Sequence, residues 1–111
     1  MDEPLSYRVR LLKPAARDVQ ELYDYIRFRS PSGALSWYDA FLDAIDRLQR
    51  DPIAPGTAPE NDYVEEEIRQ ALVKTRHGHI HRILYTLVGD QVRVLRVRRA
   101  GQDLLRPVEI A

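Results

Sequence analysis

The chain has 111 residues, of which 44% are hydrophobic and 31% are charged, a composition typical of a globular domain that buries a modest core. It contains no cysteine, which excludes disulfides, thiolate metal sites and thiol nucleophiles. No apolar run reaches membrane-spanning length, and the first residues lack the pattern of a signal peptide. We therefore expect one domain over residues 1–111, located in the cytoplasm and without a membrane partner.

The formal net charge is zero, but the charges are segregated along the chain. Residues 1–67 hold 8 Lys/Arg against 14 Asp/Glu (net −6), whereas residues 68–99 hold 8 against 1 (net +7). Positive charges gathered in this way repel one another unless an anionic group neutralises them. The basic half therefore predicts a partner, and electrostatics alone leaves open whether that partner is nucleic-acid phosphate or an acidic protein segment.

The N-terminal half predicts a strand followed by two helices. Residues 7–12 alternate basic and apolar side chains, as in a strand with one buried face, and Pro14 then begins a helix. Ser30 is placed to cap a second helix, which Asp51-Pro52 ends. The apolar stripe of the first helix contains Ala15, Val19, Leu22 and Ile26, and that of the second contains Ala34, Trp37, Tyr38, Phe41, Ile45 and Leu48. Two such helices on a short connection predict a helical hairpin that needs a sheet to cover its stripes.

The C-terminal half predicts that sheet. After a Pro-rich loop at 52–63, residues 68–75 read as a strand, and residues 80–99 read as a β-hairpin with its turn at Gly89-Asp90. A two-residue loop would pair Tyr85 with Val94, Ile83 with Arg96, Arg82 with Val97, and His81 with Arg98. The predicted fold class is α+β in the order β-α-α-β-β-β, a helical hairpin packed on a small, mostly antiparallel sheet.

This register gathers a basic cluster at the end of the hairpin far from its turn. The cluster consists of His81, Arg82, Arg96, Arg98 and Arg99. One interpretation is a binding surface for an acidic partner; the other is a set of solvated cations that keep a sheet edge soluble and unpaired.

Three alternating histidines, at positions 77, 79 and 81, could share a metal ion on one side of a strand. No carboxylate lies within eight residues to complete the site, and the neighbouring cations oppose a dication, so we expect no metal and no cofactor here. The acidic run 65–67, with Glu60 and Asp62, is an alternative metal site but is more typical of a solvated loop. The histidines could also act as acids or bases beside Lys74, Arg76 and Arg82 in a site that cleaves RNA.

The order of the segments resembles the RelE/ParE superfamily of bacterial toxins from type II toxin–antitoxin systems, over nearly the whole chain. The matching segments are YRVRLLKPAARDVQELYDYI, IRQALVKTRHGHIHRILYTL and DQVRVLRVRRAGQD. The resemblance is carried chiefly by the strand His81-Arg82-Ile83-Leu84-Tyr85 and by the strand from Val92 to Val97. The segment after Arg99 departs from the endings of both the RelE-like and the ParE-like groups, and no tyrosine follows Tyr85.

The resemblance implies a ParE-like toxin that inhibits DNA gyrase by binding it, arrests growth, stabilises plasmids and is neutralised by a cognate antitoxin in a hetero-oligomer. It implies an inhibitor rather than an enzyme. The antitoxin would lay an amphipathic segment across the helical hairpin, and an acidic portion would meet the predicted antitoxin- or target-binding residues Arg82, Arg96, Arg98 and Arg99.

Two alternatives stay open. A RelE-like endoribonuclease would cut mRNA on the ribosome with Lys74, Arg76, His81 and Arg82 as its catalytic residues. A non-toxic protein-binding module derived from the same fold would bind a partner without arresting growth.

Overall fold

The computed structural model describes residues 6–76, 78–101 and 104–110. Its elements in chain order are β1 (Arg8–Leu11), α1 (Lys13–Arg29), α2 (Pro31–Arg50), a 3₁₀-helix (Pro59–Tyr63), β2 (Arg69–Val73), β3 (His81–Val88), β4 (Gln91–Arg99) and α3 (Pro107–Ile110). The predicted α+β order is confirmed, with a short helix added at the C-terminal end. None of the helices in the described residues is both long and apolar enough to span a bilayer.

The helical hairpin begins and ends where the local chemistry predicts. Pro14 lies in the first turn of α1, where its missing N–H costs no helical hydrogen bond. Ser30 separates the two helices, and its Oγ accepts a hydrogen bond of 3.0 Å from the N–H of Gly33. This contact caps α2, as expected. The helix α2 ends at Arg50, and Oδ1 of the next residue, Asp51, accepts hydrogen bonds from the N–H groups of Ile53 and Ala54.

The four strands form one sheet in the order β1-β4-β3-β2. β1 runs parallel to β4, and the other two pairs are antiparallel. The sheet is therefore mostly antiparallel, as predicted, and β1 and β2 are its edge strands.

The predicted register of the hairpin is correct from the turn to Tyr85 and wrong beyond it. Tyr85 pairs with Val94, but Leu84 then pairs with Arg96 because a β-bulge leaves Leu95 without a partner. The following pairs are Ile83 with Val97, Arg82 with Arg98, and His81 with Arg99. Strict alternation could not reveal the bulge, which moves every basic residue of β4 after Leu95 by one position.

Both faces of the sheet are covered. The face toward the helices carries the larger core, with Trp37, Phe41, Leu48, Ile83, Tyr85, Val92, Val94 and Val97 among its members. The opposite face carries an outer core, formed by Ala58, Ile68, Leu84, Leu95 and Leu105. The bulge places Val97 in the larger core, because strict alternation from Val94 would put both Leu95 and Val97 on the outer face. The loop 52–63 and the segment 104–106 supply the cover of the outer core.

Candidate functional site

Arg82 lies on β3 and is only 6% exposed. Its Nη1 and Nη2 donate to Oε1 and Oε2 of Glu60, both at 2.8 Å, which makes a bidentate pair across the outer face. Nη1 also donates to Oε1 of Gln70 on β2, at 3.1 Å. Glu60, on the 3₁₀-helix, is fully buried and accepts a further hydrogen bond from the N–H of Leu105. The pair thus ties the loop and the C-terminal segment to the centre of the sheet.

The electrostatics of this pair keep it ionised. Burial raises the pKa of Glu60. The hydrogen bonds from Arg82 and from the N–H of Leu105 lower it, and together the lowering effects are larger, so that the net pKa lies below its ordinary value. A buried carboxylate that stays charged needs its guanidinium partner. Arg82 is therefore engaged inside the protein.

Two further arginines of the predicted cluster meet carboxylates of this same chain. Arg96 Nε donates to Asp18 Oδ2 on α1 at 2.7 Å, and its Nη2 donates to Oδ1 at 3.0 Å. The hydrogen bonds with Asp18 raise the pKa of Arg96 above its ordinary value. Arg98 Nη1 lies 3.6 Å from Oε2 of Glu109 on α3, whereas the side chain of Arg99 is exposed. The role of Arg82, Arg96, Arg98 and Arg99 in binding an antitoxin or target stays a prediction, and Arg99 is the most accessible of the four.

His81 faces the helices rather than solvent. It is 4% exposed, and its Nδ1 accepts a hydrogen bond of 3.1 Å from the indole N–H of Trp37 on α2. The two rings meet edge to face, with centroids 5.5 Å apart. Burial lowers the pKa of His81 and is the largest cause, whereas a hydrogen bond with the backbone of His79 raises it and the charges of His79 and Arg99 lower it. The net pKa lies below its ordinary value, so the imidazole is neutral near pH 7, with its proton on Nε2 because Nδ1 accepts from Trp37.

The four residues named for a nuclease are not gathered into one accessible cluster. His81 and Arg82 are neighbours on a strand and point to opposite faces of the sheet. Lys74 and Arg76 follow β2 and are both exposed. Of the other two histidines, His79 is exposed and His77 lies outside the described residues.

The acidic loop offers no convergent set of ligands. Glu65 and Glu66 are exposed, and Glu67 forms a salt bridge of 2.9 Å with Arg69. Within residues 6–76, 78–101 and 104–110 no group of three or more His, Cys, Asp or Glu side chains is placed to hold a metal ion.

Sequence reasoning placed an antitoxin on the helical hairpin without defining the surface that would bind it, and it did not reveal a second surface. The first, which we call the apolar patch, is the set of exposed large apolar side chains on α1 and α2: Tyr25, Phe28, Leu35, Tyr38 and Leu42. The seven-residue spacing of Leu35 and Leu42, off the buried stripe of α2, is the signal that could have revealed it. The second is a groove of about 400 Å³ between α2 and the edge strand β2, lined by Ala40, Asp43, Arg47, Leu72 and Lys74. Its walls come from distant segments, so no local pattern predicts it.

Comparisons with known proteins agree with this architecture. The chain is similar in structure to the chromosomal ParDE toxin–antitoxin system of P. aeruginosa, with 18% identity and a TM-score of 0.64 over 84% of this chain and 95% of that one. A chain of the RelBE2 toxin–antitoxin complex of Mycobacterium tuberculosis gives 23% identity and a TM-score of 0.48 over 85% of this chain and 98% of that one. A search of curated proteins gave no match. The family model described as the ParE toxin of the type II toxin–antitoxin system parDE matches residues 9–104. This match covers most of the sequence, and the chain therefore belongs to the ParE toxin family of type II toxin–antitoxin systems.

Proposed function

We propose that this toxin acts by binding and inhibiting DNA gyrase, and that a cognate antitoxin neutralises it. The observation that carries this choice over a nuclease is the internal use of Arg82 and His81. Arg82 forms a bidentate ion pair with Glu60, and His81 accepts a hydrogen bond from the indole N–H of Trp37. A protein that works by binding needs neither side chain to be free.

An RNA-cleaving site needs a base for the 2′-hydroxyl and cations on the scissile phosphate. Presenting Arg82 to a phosphate would leave the buried carboxylate of Glu60 unpaired, at a cost of about 3–5 kcal/mol. Presenting His81 would remove it from the core beside Trp37. Lys74 and Arg76 are exposed, but they do not form one accessible cluster with His81 and Arg82.

The apolar patch on the helical hairpin supports the antitoxin part of the proposal. Phe28 is 89% exposed and Leu35 is 60% exposed, and Tyr25, Tyr38 and Leu42 are further exposed apolar side chains of the same two helices. Such a patch is typical of a protein interaction surface. An amphipathic segment of an antitoxin would bury it, which agrees with the expectation from the sequence.

The test is induced expression of the chain alone in a bacterium, scoring growth, SOS induction and mRNA 5′ ends together, with a supercoiling assay on purified gyrase. Arrest with SOS induction, intact mRNA and loss of supercoiling supports the proposal. Arrest with new mRNA ends supports the nuclease, and those ends should vanish in the double variant Lys74→Ala/Arg76→Ala. Both side chains are exposed, so their removal should leave the fold intact. Arg82→Ala would not discriminate, because it also removes a buried ion pair. Normal growth supports a non-toxic binding module.

A further inference from the structure

Part of the outer face of the sheet lies beyond the outer core, toward the turn of the β-hairpin. On β1, Val9 and Leu11 pack against the larger core, so the alternate residues Arg8 and Arg10 point to the outer face. On β4, Arg93 lies between two valines of the larger core and points the same way. Arg8 and Arg10 are exposed, and Arg93 is half-buried. We call these three side chains the arginine face.

The register of the strands brings the arginine face together. β1 runs parallel to β4, and Arg10 pairs directly with Arg93. Neighbouring strands lie about 4.8 Å apart, so these two side chains leave the sheet from adjacent positions. Arg8 lies two residues before Arg10, about 6.6 Å along the strand. Like charges in such positions repel one another, and a bound anion would relieve that repulsion.

The chain neutralises most of the other arginines of its sheet with its own carboxylates. Four of them form salt bridges: Arg69, Arg82, Arg96 and Arg98. Among the residues that the structure describes, neither Arg10 nor Arg93 has a carboxylate partner, and Nε of Arg93 donates instead to the amide oxygen of Gln91 at 2.7 Å. Arg8 lies 3.3 Å from Asp90, but both side chains are more than half exposed, so solvent screens that pair. The arginine face therefore keeps most of its positive charge for a partner.

The chemistry of the arginine face fits the backbone of a DNA duplex. Guanidinium groups bind phosphate oxygens with two parallel hydrogen bonds. The side chains beside them in the register are Gln91, Thr86 and Val88, which do not supply the large apolar centre that protein interfaces bury. None of these residues is aromatic, whereas proteins that bind single-stranded RNA usually stack its bases on aromatic side chains. The arginine face thus favours the regular phosphates of duplex DNA over a protein or a single strand.

We propose that the arginine face binds the phosphate backbone of duplex DNA, so that the toxin contacts DNA together with gyrase when it inhibits that enzyme. The part of this contact in inhibition rests on the proposed function, whereas the binding of DNA itself does not. The contact would not select a sequence, because arginines that reach phosphates do not read base edges. The helical hairpin packs on the other face of the sheet, so a protein partner on the hairpin would leave the arginine face open.

The first experiment measures the binding of a fluorescently labelled DNA duplex to the purified chain by anisotropy, at a series of salt concentrations. The double variant Arg10→Gln/Arg93→Gln should bind about tenfold more weakly. Its plot of log K against log salt should be shallower by about 2, because each phosphate contact contributes about 0.9 to the slope. The control Arg27→Gln/Arg50→Gln removes the same charge from exposed positions on the two helices and should bind DNA as the wild type does.

Three results of this experiment would overturn the inference. The wild type does not bind the duplex, or the two double variants lose the same affinity, which would make the effect one of net charge. The third is tighter binding of a single-stranded RNA that also depends on Arg10 and Arg93, because the occupant would then be RNA. Removing the repulsion between these arginines should leave the thermal midpoint unchanged or raise it. If the double variant does not fold, Arg10→Gln alone takes its place, because that side chain is exposed.

A supercoiling assay with the same variants separates this inference from the proposed function. Arg10→Gln/Arg93→Gln should need a several-fold higher concentration than the wild type to inhibit gyrase. Equal inhibition by the two proteins would overturn the part of the arginine face in inhibition and leave the inhibition of gyrase standing. If the wild type does not inhibit gyrase, the proposed function fails, whereas a loss of DNA binding in the arginine variant still supports the DNA contact.

Discussion

Arg82 and Glu60 depend on each other, because each charge is buried and each is the other's partner. Either Glu60→Gln or Arg82→Leu should therefore lower the free energy of unfolding by about 3–5 kcal/mol, since the remaining charge stays buried without its counterion. The double variant should lose less than the sum of the two single losses. Urea denaturation of the four proteins measures this coupling. Glu66→Gln, at an exposed site in the same loop, should change stability by no more than about 0.5 kcal/mol.

His81 makes the stability of the fold depend on pH. The pKa of His81 is lowered in the folded state, chiefly by burial, so the unfolded chain binds the proton more readily than the folded chain does. Stability is therefore complete above the ordinary histidine pKa of about 6.5 and is lost as pH falls below it. Protonation of Nδ1 also removes the acceptor for the indole N–H of Trp37. The loss due to Glu60, whose pKa is lowered as well, begins only below about pH 4.5.

Urea midpoints measured between pH 7.5 and pH 5 should fall over this range. Trp37 is the only tryptophan, so its fluorescence reports directly on the contact. His81→Gln keeps an oxygen that can accept the indole N–H but does not titrate, and it should remove most of the dependence on pH in this window. A wild-type midpoint that stays constant from pH 7.5 to pH 5 would refute the assignment.

At the scale of the elements, the cap of α2 offers a simple test. Ser30 is the residue between the two helices, and its Oγ accepts from the N–H of Gly33. Ser30→Ala should cost about 1 kcal/mol of unfolding free energy, measured by denaturation, because that N–H loses its partner at the start of α2. Ser32 lies exposed in the first turn of the same helix, and Ser32→Ala should be nearly neutral. Equal losses in the two variants would mean that Ser30 does not act as a cap.

The elements themselves could be predicted from the sequence, because capping, proline positions and periodicity are local. Ser30, the break at Asp51 and the turn at Gly89 all lie where these rules place them. The bulge at Leu95 could not be predicted, because a run of apolar residues fits either face of a sheet that is buried on both sides. The partners of Arg82 and Arg96 were missed because local patterns do not show contacts between distant positions. Glu60 and Asp18 are 22 and 78 positions away along the chain.

At the scale of the whole molecule, the segregation of charge has an internal answer. Carboxylates from the acidic N-terminal part meet arginines from the basic sheet in the pairs Glu60–Arg82, Asp18–Arg96 and Glu67–Arg69. The sequence predicted a basic surface that needs an anionic partner, whereas the fold pairs several of these arginines with carboxylates of the same chain. What remains for a partner is the smaller set of exposed cations, with Arg47, Lys74, Arg76 and Arg99 among them.

The two cores make the molecule sensitive to its C-terminal segment. Leu105 is fully buried in the outer core, where it packs with Leu84 and Leu95, and its N–H donates to Glu60. Leu105→Ala should cost about 2–5 kcal/mol of unfolding free energy, because it opens a cavity over the outer face. Its neighbour Leu104 is 44% exposed, so Leu104→Ala should cost well under that amount.

Thermal unfolding of these two variants measures the difference, and hydrogen exchange shows where it acts. Faster exchange should be concentrated at Ile68 and in the loop 52–63, which share the outer core or its cover, while α1 and α2 keep the protection of the larger core. If Leu105→Ala matched Leu104→Ala in stability, the C-terminal segment would not be a structural cover of the sheet. If instead both cores lost protection together, the outer core would be part of one cooperative unit with the helices.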